Sequence, residues 1–339
     1  MTDTAGLKVP VLQIQHWGLL LYERWEGPRR RHIHQLTDRT IEGIDRDLDT
    51  GKQKPPGGTY SGDVGREAAR NIKRAINTLL AISTEKEVFN YRLGSTYKFR
   101  LSFITLTLPS PQGSISDKEI KRGPLRVFIQ KMGRRYGMYN YVWKAEKQKN
   151  GNIHFHITTD VYIPWWKIRD NWNDCINRLG FVDRYQEKHG KKTPNSTDVH
   201  SVRNVKDLAA YMVKYMAKKN KEGQKIEGKV WGCSKNLTGR DRAEAVIDAE
   251  TADWVNEVIS KYPENVIDKD YCSFVRLNQE QWKAVVTGRW KAIYDDWIKR
   301  VREKGKRDAL SPPRHPGPRF RAGCRSGLAG PAAPAGGKG

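Results

Sequence analysis

Cysteine is scarce and scattered in this chain. Cys175, Cys233, Cys272 and Cys324 form no C-x-x-C pair, which argues against a zinc ribbon or a disulfide scaffold and suits a reducing cytoplasm. Long apolar runs are missing too. The most apolar early stretch, "VPVLQIQHWGLLLYERW", is interrupted by Gln13, Gln15 and His16, and no basic-then-apolar leader pattern opens the chain. The expectation is a soluble, cytoplasmic protein with no membrane partner. There is no G-x-x-x-x-G-K-[ST] phosphate loop, so no helicase of that type is expected within the chain. Acidic residues are the last shortage: 38 Asp and Glu face 62 Lys and Arg, a formal net charge of +24. Such an excess suits a protein that neutralises phosphates and binds its partner in a salt-dependent way.

With 339 residues, 37% of them hydrophobic, and eleven tryptophans, the chain can bury a real core. Residues 1–62 read as an N-terminal extension and linker, since "TGKQKPPGGTYSG" sustains neither helix nor strand. Residues 63–240 read as the main domain, and 241–304 as a helical region in which Trp282, Val286, Trp290, Ile293 and Trp297 line a core-facing stripe. From Gly305 to 339 the Pro-, Gly- and Arg-rich composition predicts a disordered basic tail. Its seven basic residues against Asp308 leave +18 in the first 304 residues, so the basic character belongs mainly to the folded part.

Within the main domain the periods are clear. Ala68, Ile72, Ala75, Ile76 and Leu79 recur at helical spacing, with Arg66, Arg70, Lys73 and Arg74 among the polar positions. "KFRLSFITLTLP" reads as one strand ending at Pro109, and "GPLRVFIQKMGRRYG" as a helix with Pro at its start. "MYNYVWKAEKQ" and "NIHFHITTD" flank an Asn150-Gly151 turn, a strong hairpin signal. "PWWKIRDNWNDCINRLG" reads as a helix, "FVDRY" and "TDVHSV" as strands, and 205–219 as a second helix. This order predicts an α+β domain with a central antiparallel sheet and helices mainly on one face.

Two small clusters carry chemistry. In "NGNIHFHITTD", Ile153, Phe155 and Ile157 alternate with His154, His156 and Thr158, so two imidazoles share the polar face of a strand. In "NVKDLAAYMVKYMAKKN", Tyr211, Lys214, Tyr215 and Lys218 form one stripe at i, i+3, i+4 and i+7. A metal held by histidines and a carboxylate can polarise a phosphate oxygen, and a phenol favoured as phenolate can attack the phosphorus. Neither pair is specific alone; amphipathic tyrosines at a core margin and solvated lysines are the bland alternative. His32 and His34 in "RRRHIHQL" lack the flanking strand pattern and read as a basic surface segment.

"FITLTLP", "GNIHFHI" and "YMVKYMAK", in that order, resemble the three motifs of the HUH endonucleases that initiate rolling-circle replication, in the two-tyrosine branch. The resemblance covers roughly 98–220. It implies an RRM-like sheet (the HUH palm) with the histidine strand central and the tyrosine helix facing it. It also implies Mg²⁺ or Mn²⁺ dependence, and nicking of single-stranded origin DNA, often a hairpin or melted strand. Residue by residue, it implies His154 and His156 as metal ligands, Tyr211 and Tyr215 as nucleophiles, and Lys214 and Lys218 as the accompanying lysines. Thr105 and Thr107 fall where the family places supporting residues; a plain sheet role stays open for both. With no helicase of its own, the protein would depend on a host helicase and polymerase. A mobilisation relaxase or transposase would share this chemistry, whereas a non-catalytic single-strand binder would show aromatics on the sheet face.

Many family members add an acidic ligand from a neighbouring strand, and Glu146 is the candidate. A two-residue Asn150-Gly151 turn would set Glu146 opposite Phe155, on the apolar face. A three-residue loop, Lys149–Gly151 with a left-handed glycine, would set it opposite His154. An unpaired glutamate among apolar side chains is costly, which favours the second register.

Overall fold

A computed structural model of the chain describes residues 7–16, 18–26, 64–90, 94–201, 225–239 and 241–311. The elements are β1 (Leu7–Gln15), β2 (Gly18–Glu26), α1 (Arg66–Ile82), β3 (Lys86–Asn90), β4 (Ser95–Phe99), β5 (Ser102–Leu106), α2 (Asp117–Ile120) and α3 (Arg126–Tyr136). They continue with β6 (Tyr141–Lys147), β7 (Ile153–Thr159), α4 (Trp165–Asn177), α5 (Phe181–His189), β8 (Thr197–Ser201), β9 (Trp231–Cys233) and β10 (Ala243–Val246). The last are α6 (Ala249–Lys261), β11 (Val266–Lys269), β12 (Cys272–Arg276), α7 (Gln279–Val285) and α8 (Gly288–Leu310). The fold is α+β with antiparallel sheets, as the order of patterns implies.

One five-stranded sheet runs β8-β5-β7-β6-β9, with the histidine strand β7 in the middle. Its apolar face is built by alternation: Ile153, Phe155 and Ile157 are fully buried, as are Phe128 of α3 and Trp172 of α4. The Trp172 ring meets Phe155 and Phe128 edge-on at 6.1 and 5.6 Å, and its indole N–H donates to the Thr107 carbonyl at 2.7 Å. Thr107 Oγ1 donates to the Ser196 carbonyl at 3.0 Å, so Thr107 serves the sheet. A second sheet, β10-β1-β2-β12-β11, joins residues 7–26 to strands from beyond residue 242.

Several elements differ from the sequence reading for identifiable reasons. The strand expected over 98–109 is two, β4 and β5, separated at Arg100, whose guanidinium turns to the Ser83 carbonyl. Pro124 does not start a helix. The helical run begins earlier, where the Ser116 hydroxyl accepts the Glu119 N–H, and a π-turn over 121–125 accommodates the proline's missing N–H. "FVDRY" is helical rather than extended. Left-handed Gly180 ends α4, and the Asn177 side-chain oxygen accepts the N–H groups of Val182 and Asp183, starting α5. The helix expected over 242–260 opens as strand β10 and becomes helical only after the Asp248 cap. The helix expected over 279–304 is interrupted at 286–287, although Trp282, Val286, Trp290 and Trp297 are all core, each at most 6% exposed.

Gly305 does not break α8, which continues to Leu310. A Cβ built on Gly305 would stand 2.5 Å from Asn140 Oδ1 and 2.6 Å from Asn236 Nδ2. Asn236 donates there to Asn140 Oδ1 and to the Val301 carbonyl, so the glycine is a close approach between helix and sheet. Gly305→Val should therefore lower the unfolding free energy by about 1–3 kcal/mol through overpacking. A shifted urea midpoint would show it; an unchanged midpoint would contradict this packing.

Candidate metal centre

The hairpin turn decides the site. Gln148 N–H donates to the Asn152 carbonyl and Gly151 N–H to that of Gln148, enclosing a three-residue loop in which Gly151 has φ +82°. Such a left-handed glycine after a tight turn adds one residue to one strand. The resulting register sets Lys147 opposite Ile153, Glu146 opposite His154, Ala145 opposite Phe155 and Lys144 opposite His156. A polar network fixes the loop end. The Asn152 side chain accepts from Gln112 N and donates to the Ser110 carbonyl, while the Gln112 side chain accepts from Ile153 N and donates to Asp117. Asp117, only 3% exposed, also accepts from Lys147 at 2.7 Å.

On the polar face, His154 Nε2 and His156 Nε2 stand 3.0 Å apart. Glu146 Oε2 lies 3.7 Å from each. Thr105 of β5 pairs with His156, and its hydroxyl meets His156 Nδ1 at 3.1 Å. The Phe103 ring stacks on His156 at 5.1 Å. Lys144, 1% exposed, donates to Glu146 Oε1 at 2.6 Å. Burial alone would raise the Glu146 pKa, but the imidazoles of His154 and His156 and the Lys144 ammonium outweigh it. They hold the carboxyl well below the usual carboxylate range.

Three donors within 4.8 Å of one another, two imidazoles and a carboxylate, form a set suited to a divalent cation. Ligands about 2.1 Å from one ion stand roughly 3.0 Å apart at right angles, which the two Nε2 atoms already match. Two such nitrogens at 3.0 Å either share a proton or turn both lone pairs toward one cation. The Thr105 hydroxyl can hold the His156 Nδ1–H that leaves Nε2 free, the usual outer support of a ligating histidine. His154 Nδ1 is buried and has no hydrogen-bond partner.

The structure thus brings Glu146, His154 and His156 together and sets Thr105 behind them. Tyr211, Lys214, Tyr215 and Lys218, and also His32 and His34, lie outside the described residues. Lys144 is the neighbour that the sequence reading passed over. Its signal was present: once Glu146 is set opposite His154, the residue two earlier must fall opposite His156. Asp198 likewise shares this face, opposite Thr105 across β8.

Because the folded-state pKa of Glu146 is depressed, its contribution to stability is full above its ordinary value of 4.5 and is lost as pH falls below that. In EDTA, the stability difference between wild type and Glu146→Gln should therefore narrow on acidification from pH 7 to about 3. Urea unfolding at both pH values measures it, and a pH-independent difference would contradict the electrostatic account.

Among the described residues, no helix is long and apolar enough to cross a membrane. Comparison with curated proteins finds no match, and neither does comparison with solved structures. Residues 101–220, about a third of the chain, match a family model for replication-associated proteins of the ORF2 type, which supports a replication-initiator role.

Proposed function

We propose that the protein is an HUH-type endonuclease that nicks and rejoins single-stranded DNA to start rolling-circle replication. The observation that carries this reading is the convergence of His154, His156 and Glu146 on one polar face of the central sheet, inside the segment that matches the replication-associated family. A divalent cation bound there, Mg²⁺ or Mn²⁺, would polarise a phosphate oxygen and offset charge gathering on it in the transition state. Two nitrogen donors favour Mn²⁺ over Mg²⁺. Thr105 would keep His156 in the tautomer that leaves Nε2 free, and Lys144 would hold Glu146 ionised and aimed at the imidazoles.

The nucleophile comes from Tyr211 or Tyr215. Its phenol oxygen bonds to phosphorus as the bond from phosphorus to the 3′ oxygen breaks. The phenol proton departs and the 3′ oxygen takes one up, giving a 5′-phosphotyrosyl link and a free 3′ hydroxyl that primes synthesis. Lys214 and Lys218 would favour the phenolate or contact the phosphate. The link preserves the energy of the broken diester, so a second transfer can rejoin the strand without ATP. A second tyrosine can cleave the regenerated origin while the first still holds the 5′ end. The single-stranded origin is the substrate, and a host helicase and polymerase complete the partners. A non-catalytic binder is disfavoured because this sheet face carries His154, His156, Glu146 and a buried lysine around the stacked Phe103.

Incubating the full chain with Mn²⁺ and labelled single strands tiling the DNA around its own reading frame should give nicks and a covalent adduct on a denaturing gel. Both should vanish in EDTA and in His154→Ala. The adduct should survive Tyr211→Phe or Tyr215→Phe alone but not the double change; an adduct formed by the double variant would overturn the mechanism. Thr105→Val should weaken Mn²⁺ binding about 10- to 100-fold, as loss of an outer support does. Unchanged binding by calorimetry would remove Thr105 from the site.

A further inference from the structure

A cleft of about 340 Å³ lies away from the metal centre, between β1 and the polar side of α1, with Arg242 closing one end. Arg70, Lys73 and Arg74 project from α1 into it, and Gln13 and Gln15 of β1 face them. No Asp or Glu is among the described residues that line it. Arg70 and Lys73 make no ion pair among the described residues, and the contact of Arg74 is a long 3.5 Å hydrogen bond to Asn71. The nearest carboxylates are engaged elsewhere. Glu244 accepts from Tyr22 and Arg24, and Asp241 takes the Arg300 guanidinium through both oxygens.

The cleft is built to hold this charge rather than to disperse it. Arg242 Nη1 is tied to the Gly239 and Asp241 carbonyls at 2.6 and 2.7 Å, which fixes its guanidinium. Burial lowers its pKa, and the neighbouring Arg74 lowers it further, so these like charges face each other across the space. Burial, aided by Arg100, pushes the His16 imidazole down to about 3, so this wall is neutral at ordinary pH. The opposite face of α1 is core, with Ile72, Ala75, Ile76 and Leu79 fully buried, which anchors the cationic stripe on a rigid element. α1 also packs against β6, the strand that carries Glu146.

Cations gathered without counter-ions are stabilised by an external anion. We infer that this cleft is a second DNA-binding site, taking the phosphodiester backbone of a strand along the Arg70–Lys73–Arg74 stripe with Arg242 at its end. The spacing favours a strand over a single phosphate group. From Arg70 to Asn77, the i, i+3, i+4, i+7 stripe extends roughly 10 Å along the helix, so it meets a row of charges rather than a point. Phosphate contacts of this kind set position and affinity without reading sequence.

The test is fluorescence-anisotropy binding of a single-stranded oligonucleotide to the full chain in EDTA, where cleavage plays no part, across a salt series. Changing Arg70, Lys73 and Arg74 together to Gln should reduce the log–log salt slope by about 2, at about 0.7 per lost single-strand contact. Arg70→Lys with Arg74→Lys should keep the slope. A control triple on exposed Lys188, Lys191 and Lys192, also to Gln, should change it by much less. Gln sustains helix, and an unchanged circular-dichroism melt checks that α1 persists. An unchanged slope in the α1 variant, or an equal fall in the control, would overturn the site. Labelled ATP binding that depends on these residues, with the DNA slope intact, would assign the cleft to a nucleotide and overturn the strand reading.

Discussion

The register of the β6–β7 hairpin is the constraint on which the polar face depends. Side chains alternate along a strand, so a slip of one residue exchanges the two faces. With Gly151 left-handed and three residues in the loop, Glu146 stands opposite His154 and Lys144 opposite His156. A tighter turn would drive Glu146 toward Phe155 and into the Trp172 core, and would leave the imidazoles without a carboxylate. The polar network from Asn152 through Gln112 to Asp117 holds the loop end in place. The buried Phe155–Trp172–Phe128 contacts hold the other face.

Charge then organises what the register has gathered. A carboxylate beside a buried lysine and two imidazoles stays ionised where burial alone would protonate it. Removing one member of such a group leaves another charge buried without its partner, which costs more than the pair contributes. The same logic in reverse describes the cleft beside α1. There the cations are collected and fixed, while the nearby acids are committed to Tyr22, Arg24 and Arg300. A strand held at that cleft and cut at the metal centre would give one chain both the grip and the chemistry of an initiator.

Much of this was legible in the residues, and the failures have physical causes. Alternation in "NIHFHITTD" and the Asn-Gly turn gave the hairpin, and the cost of burying Glu146 among apolar side chains selected its register. The helical stripe of α1 was equally plain. Local pattern failed where tertiary contacts or caps overrode it. The Asn177 side chain starts α5 over "FVDRY", whose Phe and Val suggest a strand. A π-turn absorbs Pro124 inside a helical run. Gly305 packs against Asn140 and Asn236 instead of ending α8. The pairing of residues 7–26 with β10 and β12 is long-range, across more than two hundred residues, and no local period announces it. Lys144 was missed because a single lysine in a strand reads as solvated until its register is known.

The central claim is that His154, His156 and Glu146 share one cation. Electron paramagnetic resonance of Mn²⁺ added to the full chain, with modulation read for nitrogen coupling, tests it most directly. The account predicts coupling to two imidazole nitrogens, reduced to one in His154→Ala and in His156→Ala. Mn²⁺ that binds without nitrogen coupling, or whose spectrum neither substitution alters, would contradict it.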